Sequence, residues 1–217
     1  IVQASYNGWS RARVVTYAYL LDLSNAAGTD NSTATYGAYT AGSAPLPALS
    51  PRASVGYRAE AAYQSDYADS RQNYSATYHS AELSATVART SVGGGYERLG
   101  SGANEAGTGR VGFRTPLSTL HAFNGWADVF LTTPADGLRD VYGFAQVITK
   151  GVPVRLVYHR FAGARGGADL GDELDLQATR KFGARWSALV KYANYHRGGT
   201  TSPPQTRKSW LQGEYSF

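Results

Sequence analysis

Apolar and polar side chains alternate along much of this chain, and the alternation is clear at the C-terminus. Successive side chains of a β-strand point to opposite faces of a sheet, so this pattern predicts a strand with one apolar and one polar face. Counting back from Phe217, the mostly apolar face holds Tyr215, Gly213, Leu211 and Ser209. The mostly polar face holds Ser216, Glu214, Gln212, Trp210 and Lys208. We therefore predict that the chain ends in a two-faced strand closed by an aromatic residue.

The same period of two recurs along the chain and predicts eleven strands. In residues 173–181, for example, Leu174, Leu176 and Ala178 alternate with polar or charged side chains. The predicted strands are 1–9, 12–24, 33–42, 55–64, 80–87, 91–99, 138–149, 152–161, 173–181, 185–196 and 206–217. Few helical stretches remain that could cover a sheet, so the pattern predicts an all-β fold.

The connections between these strands alternate between short and long. The short ones are tight turns at 10–11, 89–90, 150–151 and 182–184. The long ones are rich in Gly, Asn, Asp, Ser or Pro and span 25–32, 68–73, 162–171 and 197–205. Only the Pro-rich connection 43–51 departs from this order. Short periplasmic turns and long external loops are typical of bacterial outer-membrane barrels, in which one strand face meets lipid and the other a water-filled interior. The sequence therefore predicts an antiparallel transmembrane β-barrel.

The strand count leaves two alternatives. Bacterial single-chain barrels have an even number of strands. Eleven strands do not meet this rule, and a further hairpin within 100–137 would give thirteen. Residues 1–7 already alternate, so the chain starts inside a strand. We expect the chain to be the C-terminal part of a larger barrel, and the alternative is a miscount by one strand.

Composition narrows the class of protein further. Mean hydropathy is -0.35, and no run of about 18 apolar residues is present, so no transmembrane helix is expected. With 217 residues, we expect a single domain, 1–217. Cysteine is absent, which excludes disulfides and thiolate metal sites. The net charge is +5, but the basic residues are scattered without a Lys/Arg run, which argues against nucleic-acid binding.

The sequence contains few of the motifs that are typical of catalysis. The chain contains no HExxH and no GxSxG motif, and its His residues lack the spacing of a metal cluster. A Ser–His pair across strands, such as Ser80 with His159, is left open as a hydrolase arrangement. Carboxylate oxygens can also hold Ca²⁺, although without EF-hand spacing a solvated loop is the simpler interpretation. The acidic residues concerned are Asp169, Asp172, Glu173 and Asp175. We expect no enzyme activity, no cofactor and no metal.

Several segments together resemble a known family. One run reads LSTLHAFNGWADVFLTTP over 117–134, and shorter ones read YAYLLD at 17–22, YRAEAA at 57–62, VYHRF at 157–161 and GGADLGDELDL at 166–176. These segments resemble the proteobacterial outer-membrane proteins that carry an alginate-export domain. The resemblance covers essentially the whole chain and corresponds to the C-terminal half of that family, whose members carry a further N-terminal segment. It implies a channel in the bacterial outer membrane for small solutes or an anionic oligosaccharide or polysaccharide such as alginate.

The polar strand faces supply the candidate pore lining of such a barrel, whose partner is the lipid bilayer. The predicted lining residues are Arg58, Glu60, Glu82, Glu97, Arg155, His159, Glu173, Asp175, Lys181, Lys191, Lys208 and Glu214. A lining of one sign sets the permeant ion, whereas this set contains both signs. One hypothesis is a mixed-charge wall in which pairs such as Arg58 with Glu60 or Glu82 neutralise each other. The other is a basic path that selects uronate carboxylates.

The longest connection, 100–137, is the predicted functional insertion, because loops of this length in compact proteins are usually functional or disordered. Its first part, 100–109, is rich in Gly, Ser, Asn and Ala and predicts a flexible tip. The later part has apolar residues to bury, so we expect it to pack over or into the barrel and narrow the pore. The candidate constriction residues are Phe113, His121, Phe123 and Trp126. An extra transmembrane hairpin is the alternative.

Two further functional alternatives stay open at the level of sequence. One is an outer-membrane barrel without transport, serving as an enzyme or a structural anchor. The other is a barrel fragment or an engineered piece that does not close alone. Nothing in the sequence predicts an oligomeric state.

Overall fold

A computed structural model describes residues 1–23, 32–118, 121 and 123–217 of the chain. In chain order its strands are β1 (Val2–Trp9), β2 (Ala12–Leu21), β3 (Thr33–Pro45), β4 (Ala53–Asp66), β5 (Ser75–Val87), β6 (Thr90–Leu99), β7 (Ser101–Ala103), β8 (Arg110–Gly112), β9 (Leu138–Thr149), β10 (Val152–Gly163), β11 (Asp169–Phe182), β12 (Trp186–His196) and β13 (Thr206–Tyr215). No helix in this described part has the length and apolar content to cross a membrane.

Eleven of these strands form one large antiparallel sheet, while β7 and β8 pair in a separate small sheet. In the large sheet each strand lies beside its neighbour in the chain, and β6 pairs with β9 across the 100–137 connection. The all-β class and the eleven predicted strands are thereby confirmed. β7 and β8 are three residues long and belong to the separate small sheet, so they do not enlarge the large sheet to thirteen strands.

Several strands are longer than the alternation predicted. β5 begins at Ser75 rather than at residue 80, and β11 begins at Asp169 rather than at residue 173. The pairing of β10 with β11 continues beyond a β-bulge at Phe161 and Ala162, which shortens the predicted loop 162–171. A bulge shifts the period of two by one residue, so an alternation rule loses such a strand end. The predicted 25–32 connection lies, apart from residue 32, outside the described residues.

The tight turns lie at one end of the sheet. Lys150 and Gly151 both adopt positive φ, at 48° and 77°, which matches the type I′ turn of a two-residue β-hairpin. The turn predicted at 89–90 lies one residue earlier, because Thr90 already pairs with Val87. The connections at 67–74, 100–137, 164–168 and 197–205 lie at the opposite end, which we call the loop end, whereas the Pro-rich connection at 46–52 lies with the tight turns.

The large sheet has two free edges within the described residues. β1 pairs only with β2, and β13 pairs only with β12. The sheet is therefore open, and closure of a barrel stays a prediction.

The strand register gives the sheet two chemically different faces. One row runs across neighbouring strands from Glu82 through Tyr142, His159 and Glu173 to Tyr195. We call the face that carries this row the inner face, and segment 113–137 lies against it through the contacts described below. The opposite, outer face is exposed on every strand of the sheet. Its large apolar side chains, each at least 40 % exposed, include Val2, Leu20, Tyr36, Tyr63, Leu83, Val92, Val141, Leu156, Leu174, Val190 and Leu211.

The outer face also lacks charge over most of its height. Within the described strands its Asp, Glu, Lys and Arg residues lie only near the strand ends. Five of them lie at the loop end, namely Arg98, Arg139, Arg160, Asp172 and Arg207, and Arg180 lies at the tight-turn end. The centre of the outer face is therefore an uninterrupted band of apolar, small and hydroxyl-bearing side chains.

The hydrophobic core lies between the inner face and segment 113–137. The ring of Phe130 packs against Phe161, with centroids 4.7 Å apart, and against Tyr195 at 5.9 Å. Phe161, Tyr195 and Leu138 are completely buried. Burial of a large apolar or aromatic side chain contributes about 1.5–3 kcal/mol, so this cluster holds the segment on the sheet.

Candidate functional site

All of the predicted pore-lining residues lie on the inner face of the sheet. Cross-strand pairing joins Arg58 to Glu82, His159 to Glu173, and Lys181 to Ser187, which in turn pairs with Glu214. Their common face follows from the period of two, which the sequence displays directly. Their role as a pore lining stays a prediction.

A cavity of about 960 Å³ separates part of the inner face from segment 113–133. Six of the predicted lining residues reach its wall, namely Arg58, Glu60, Glu82, Glu97, Arg155 and His159. From the segment, Phe113, Phe123 and Trp126 contribute to the same wall. Lys181 and Glu214 lie near the tight-turn end, away from the cavity, and both are exposed. The cavity therefore brings together half of the predicted lining and most of the predicted constriction residues.

The first acidic residue of this wall, Glu60, is bound by two neighbours. Arg58 donates a hydrogen bond to one carboxylate oxygen of Glu60 at 2.6 Å, and the hydroxyl of Tyr17 donates to the other at 2.6 Å. The guanidinium of Arg58 also lies 4.0 Å above the ring of Tyr39. Charge-assisted hydrogen bonds of this kind orient a carboxylate and reduce its field in the cavity. The Arg58–Glu60 pair is one of those expected from the sequence.

The other acidic side chains of the wall are also paired. Glu97 accepts hydrogen bonds from the Tyr78 hydroxyl and from the Asn124 amide, both at 2.5 Å. Glu82 accepts one from the Tyr142 hydroxyl at 2.7 Å. Asp140 accompanies them, with its Oδ2 atom 2.8 Å from Nδ1 of His159.

Arg155 differs from these residues because it has no hydrogen-bond or ion-pair partner within the described part of the chain. Its guanidinium lies 4.4 Å above the ring of Phe144. In such a stacked arrangement the N–H donors lie in the guanidinium plane and can still donate hydrogen bonds. The acidic groups are paired with tyrosine, arginine, histidine or amide partners, and Arg114, also in the wall, donates to the amide oxygen of Gln72. The geometry thus combines a mixed-charge wall with a cation, Arg155, that has no such partner among the described residues.

Glu173 and Asp175 do not face the cavity, because segment 113–137 covers them. Both are completely buried. The backbone N–H of Ala127 donates to Glu173 at 2.6 Å, and that of Trp126 donates to Asp175 at 3.2 Å. Gly125 makes this approach possible: its φ is +84°, and a Cβ atom there would lie 2.5 Å from Oε2 of Glu173. These two carboxylates therefore hold the segment on the sheet.

A second set of contacts anchors the segment to β12 and β13. Asp128 lies 2.7 Å from Nδ1 of His121 and accepts a hydrogen bond from Lys208 at 2.7 Å. Lys191 lies 3.1 Å from Nε2 of His121 and 4.5 Å from the ring centre of Trp126. Burial acts to raise the pKa of the Asp128 carboxyl, but the hydrogen bonds from Lys208 and His121 outweigh it and hold this pKa below its ordinary value.

The predicted constriction residues have different environments in this arrangement. Phe113 is buried and packs on Tyr78, with ring centroids 5.5 Å apart. Trp126 is half-buried, His121 contacts Lys191 on β12, and Phe123 is 52 % exposed. Phe123 is therefore the most exposed side chain of the apolar residues in this group. Whether the segment narrows a pore stays a prediction.

The other site hypotheses are not assembled by the fold. Ser80 lies on β5 and His159 on β10, with β6 and β9 between them, so their strands are about 14 Å apart at the usual strand spacing. The ring nitrogens of His159 lie near Asp140 and Asp175 instead. The acidic run on β11 is divided by alternation, and Asp169 pairs with Arg160 at 2.9 Å. No group of three or more His, Cys, Asp or Glu side chains within the described residues is arranged for a metal ion.

Sequence reasoning missed the tyrosines that pair with the acidic wall and the polar residues that anchor the segment. Tyr17, Tyr78 and Tyr142 lie at inner-face positions of their strands. Placing a tyrosine beside a glutamate of a neighbouring strand would have indicated these pairs, but that placement requires the strand register to be known. Asn124 and Asp128, both with positive φ, come from irregular backbone that shows no periodicity.

Comparison with protein-family models finds no match for this chain, and a search of curated proteins finds no significantly similar sequence. The resemblance to proteins with an alginate-export domain therefore stays a prediction from the sequence.

Proposed function

We propose that this chain forms the wall of a β-barrel in the bacterial outer membrane and that the barrel acts as a passive channel. The observation that carries the proposal is the outer face, where each of the eleven strands exposes a large apolar side chain and charge is confined to the strand ends. Exposed apolar patches beyond a few hundred Å² are rare on soluble monomers. A lipid bilayer removes this penalty for a sheet whose other face is polar.

Strand length and connectivity support the same proposal. Ten of the strands in the large sheet contain 10–14 residues, and β1 contains 8, close to the length of about 9–11 needed to cross a bilayer. Sequential antiparallel pairing with tight turns at one end is the pattern of such barrels. In a closed barrel the free edges of β1 and β13 would be paired, with each other or with further strands, because unsatisfied backbone groups are costly in lipid.

The inner face suggests what kind of solute passes. Small solutes or an anionic oligosaccharide or polysaccharide such as alginate would move through the barrel by diffusion along the 113–133 segment. Arg155 offers unpaired donors to a passing carboxylate, while the wall glutamates are occupied by tyrosine and arginine donors. The aromatic side chains on both sides of the cavity suit the apolar faces of sugar rings. The segment would set the width of the path.

A barrel without transport is the second candidate, and one observation favours it. Segment 113–137 is fixed to the inner face by buried aromatic packing and by the Glu173 and Asp175 carboxylates. A segment held this firmly can plug a lumen instead of narrowing it.

Single-channel conductance of the refolded chain in a planar bilayer tests these alternatives. We expect discrete conductance steps, and we expect oligoalginate to block them in the wild type and to block them less in Arg155→Gln. Steps that are insensitive to the sugar would indicate a general porin. A chain that inserts into vesicle membranes but gives no conductance steps would favour the plugged barrel. A band that migrates differently in SDS before and after boiling would report whether the barrel is closed.

A further inference from the structure

Basic residues gather at the tight-turn end of the sheet, where acidic residues are nearly absent. Eight of the chain's 21 Lys and Arg residues lie in a connection at this end or within three residues of one, against one of its 16 Asp and Glu residues, Glu214. We call these eight residues the basic rim: Arg11, Arg13, Arg52, Arg89, Lys150, Arg180, Lys181 and Arg185. Each of the five connections at this end contains at least one of them.

The protein does not neutralise the basic rim. All eight side chains are exposed, and none of them forms an ion pair within the described part of the chain. Arg185 donates a hydrogen bond of 3.3 Å to the hydroxyl of Tyr215, and the guanidinium of Arg180 lies 5.1 Å above the ring of Phe182, so both of these partners are neutral. If Glu214 and a carboxylate at Phe217 are both counted, eight positive charges face two negative ones and six remain uncompensated.

The loop end has a different charge pattern. There Arg160 pairs with Asp169 at 2.9 Å, and the carboxylate of Asp172 lies 3.5 Å from His196. A further contact joins Arg110 to Asp136 at 3.8 Å. The surplus of positive charge is therefore a property of the tight-turn end and not of the whole surface.

Large aromatic side chains lie on the outer face directly beside the basic rim. They are between 44 % and 59 % exposed, and they are Tyr6, Trp9, Phe182, Trp186 and Tyr215. Two edge contacts join them in pairs, with ring centroids 5.3 Å apart for Tyr6 and Trp9 and 4.8 Å apart for Trp186 and Tyr215. Aromatic girdles of this kind mark the boundary between hydrocarbon and headgroups in membrane barrels. If the outer face meets lipid, the basic rim lies at the level of the headgroups.

We propose that the basic rim is a surface that binds the anionic phospholipid headgroups of the leaflet at the tight-turn end. The proposal rests on the proposed function, because it requires the outer face to meet lipid. The distribution of the charges favours a leaflet as the partner. Basic residues occur in every connection from β1–β2 to β11–β12, and a leaflet contacts the whole perimeter of a barrel, whereas a single soluble ligand contacts one part of it.

The size of the expected effect follows from the electrostatics of a membrane surface. A headgroup beside one basic side chain is preferred over a neutral headgroup about fivefold. Only part of the lipid perimeter lies beside a rim residue, so the preference averaged over all contacting lipids is about twofold to threefold. Exposed charges are screened by salt over about 10 Å at 0.1 M and about 3 Å at 1 M, so the preference falls as salt is added.

The chain offers a matched control for this charge. A rim variant replaces three turn arginines by Gln, namely Arg11→Gln, Arg52→Gln and Arg89→Gln. A loop variant removes the same number of positive charges from the opposite end through Arg139→Gln, Arg165→Gln and Arg207→Gln. All six side chains are exposed and lack an ion-pair partner within the described residues. A third variant places Lys at the three rim positions, which keeps the charge.

The experiment uses the full chain refolded into phosphatidylcholine vesicles that contain a trace of spin-labelled lipid. Electron paramagnetic resonance measures the fraction of labelled lipid that the protein restricts, first for phosphatidylglycerol and then for phosphatidylcholine. We expect the wild type to prefer phosphatidylglycerol about twofold to threefold at about 0.1 M salt and to lose this preference at about 1 M. The rim variant should lose most of the preference at low salt, while the loop variant and the lysine variant should keep it.

Four outcomes would overturn the proposal. An equal loss in the rim and loop variants would show that the tight-turn end does not select the lipid, and a preference that persists at high salt would show that charge does not carry it. Abolition of the preference by oligoalginate at constant ionic strength would identify the rim as a surface for a soluble polyanion. Complete protease sensitivity in vesicles would overturn the membrane proposal as well, whereas insertion without any lipid preference would overturn the headgroup surface alone.

Discussion

Gly125 is the position at which one added methyl group tests how the segment is held on the sheet. Its φ is +84°, and a Cβ atom would lie 2.5 Å from Oε2 of Glu173 and 2.7 Å from its Cδ. The carboxylate is buried and accepts the N–H of Ala127, so it cannot retreat into solvent. We therefore expect Gly125→Ala to loosen segment 113–137 while leaving the strands of the sheet in place.

Two terms set the size of the effect. Left-handed backbone costs an alanine about 1–2 kcal/mol, and loss of a hydrogen bond to a charged group costs about 1.5–3 kcal/mol. Docking of the segment should therefore weaken by about 2.5–5 kcal/mol. Gly109 provides the control, because its φ is +89° but no atom lies within 4 Å of its added Cβ. Gly109→Ala has the backbone strain without the collision with Glu173.

Hydrogen–deuterium exchange of the Trp126 and Ala127 amides measures the docking free energy directly, provided that exchange occurs through local opening. A loss of about 2.5–5 kcal/mol accelerates exchange about 70-fold or more. In Gly109→Ala both amides should exchange as in the wild type. If Gly125→Ala exchanges within about threefold of that control, the carboxylate contacts do not hold the segment and the argument is wrong.

Three further predictions concern charge and packing. Ionised Asp128 stabilises the docked segment fully at pH values above its unfolded pKa, and this stabilisation is lost as pH falls through its lower folded pKa. Amide protection in segment 113–137 should therefore drop below about pH 4. Asp128→Asn should abolish that drop when hydrogen exchange is measured against pH. Reversal potentials in a salt gradient should shift toward cation selectivity for two variants, because Tyr142→Phe leaves Glu82 without its donor and Arg155→Gln removes a positive charge from the cavity wall, and shifts of opposite sign would contradict this. Phe130→Ala should lower the free energy of unfolding by about 3–5 kcal/mol in a denaturant titration of the chain in detergent, and a loss below about 1 kcal/mol would show that its ring does not belong to the core.

The strands were predictable from the sequence because a two-faced strand records its orientation in every second residue. Alternation alone placed the predicted lining residues, from Arg58 to Glu214, on a common face, and the register confirms that placement. Bulges defeat the same rule, as they do after Phe161. The pattern could also not say how far each strand continued beyond its last clearly alternating residue.

The details of the site were not predictable, because they depend on contacts between residues that are distant in the chain. Tyr142 and Glu82 are 60 positions apart, and Asp128 and Lys208 are 80 apart. Glu173 and Asp175 looked like ordinary polar-face residues, yet an irregular segment with two positive-φ residues, Asn124 and Gly125, brings backbone N–H groups onto them. Such backbone has no period for a sequence rule to detect.

The sequential order of the sheet has a consequence for how the chain folds. Nine of the ten strand pairs in the large sheet join strands that follow each other in the chain, so each hairpin can form with a modest loss of chain entropy, and growth can proceed from several hairpins at once. The pairing of β6 with β9 is different, since it must first close the loop that contains segment 113–137. We expect this pairing to be the slow step of folding. It would also be the step at which the segment is enclosed on the inner face. Strands β1–β6 and strands β9–β13 would then pair around a loop that has already collapsed.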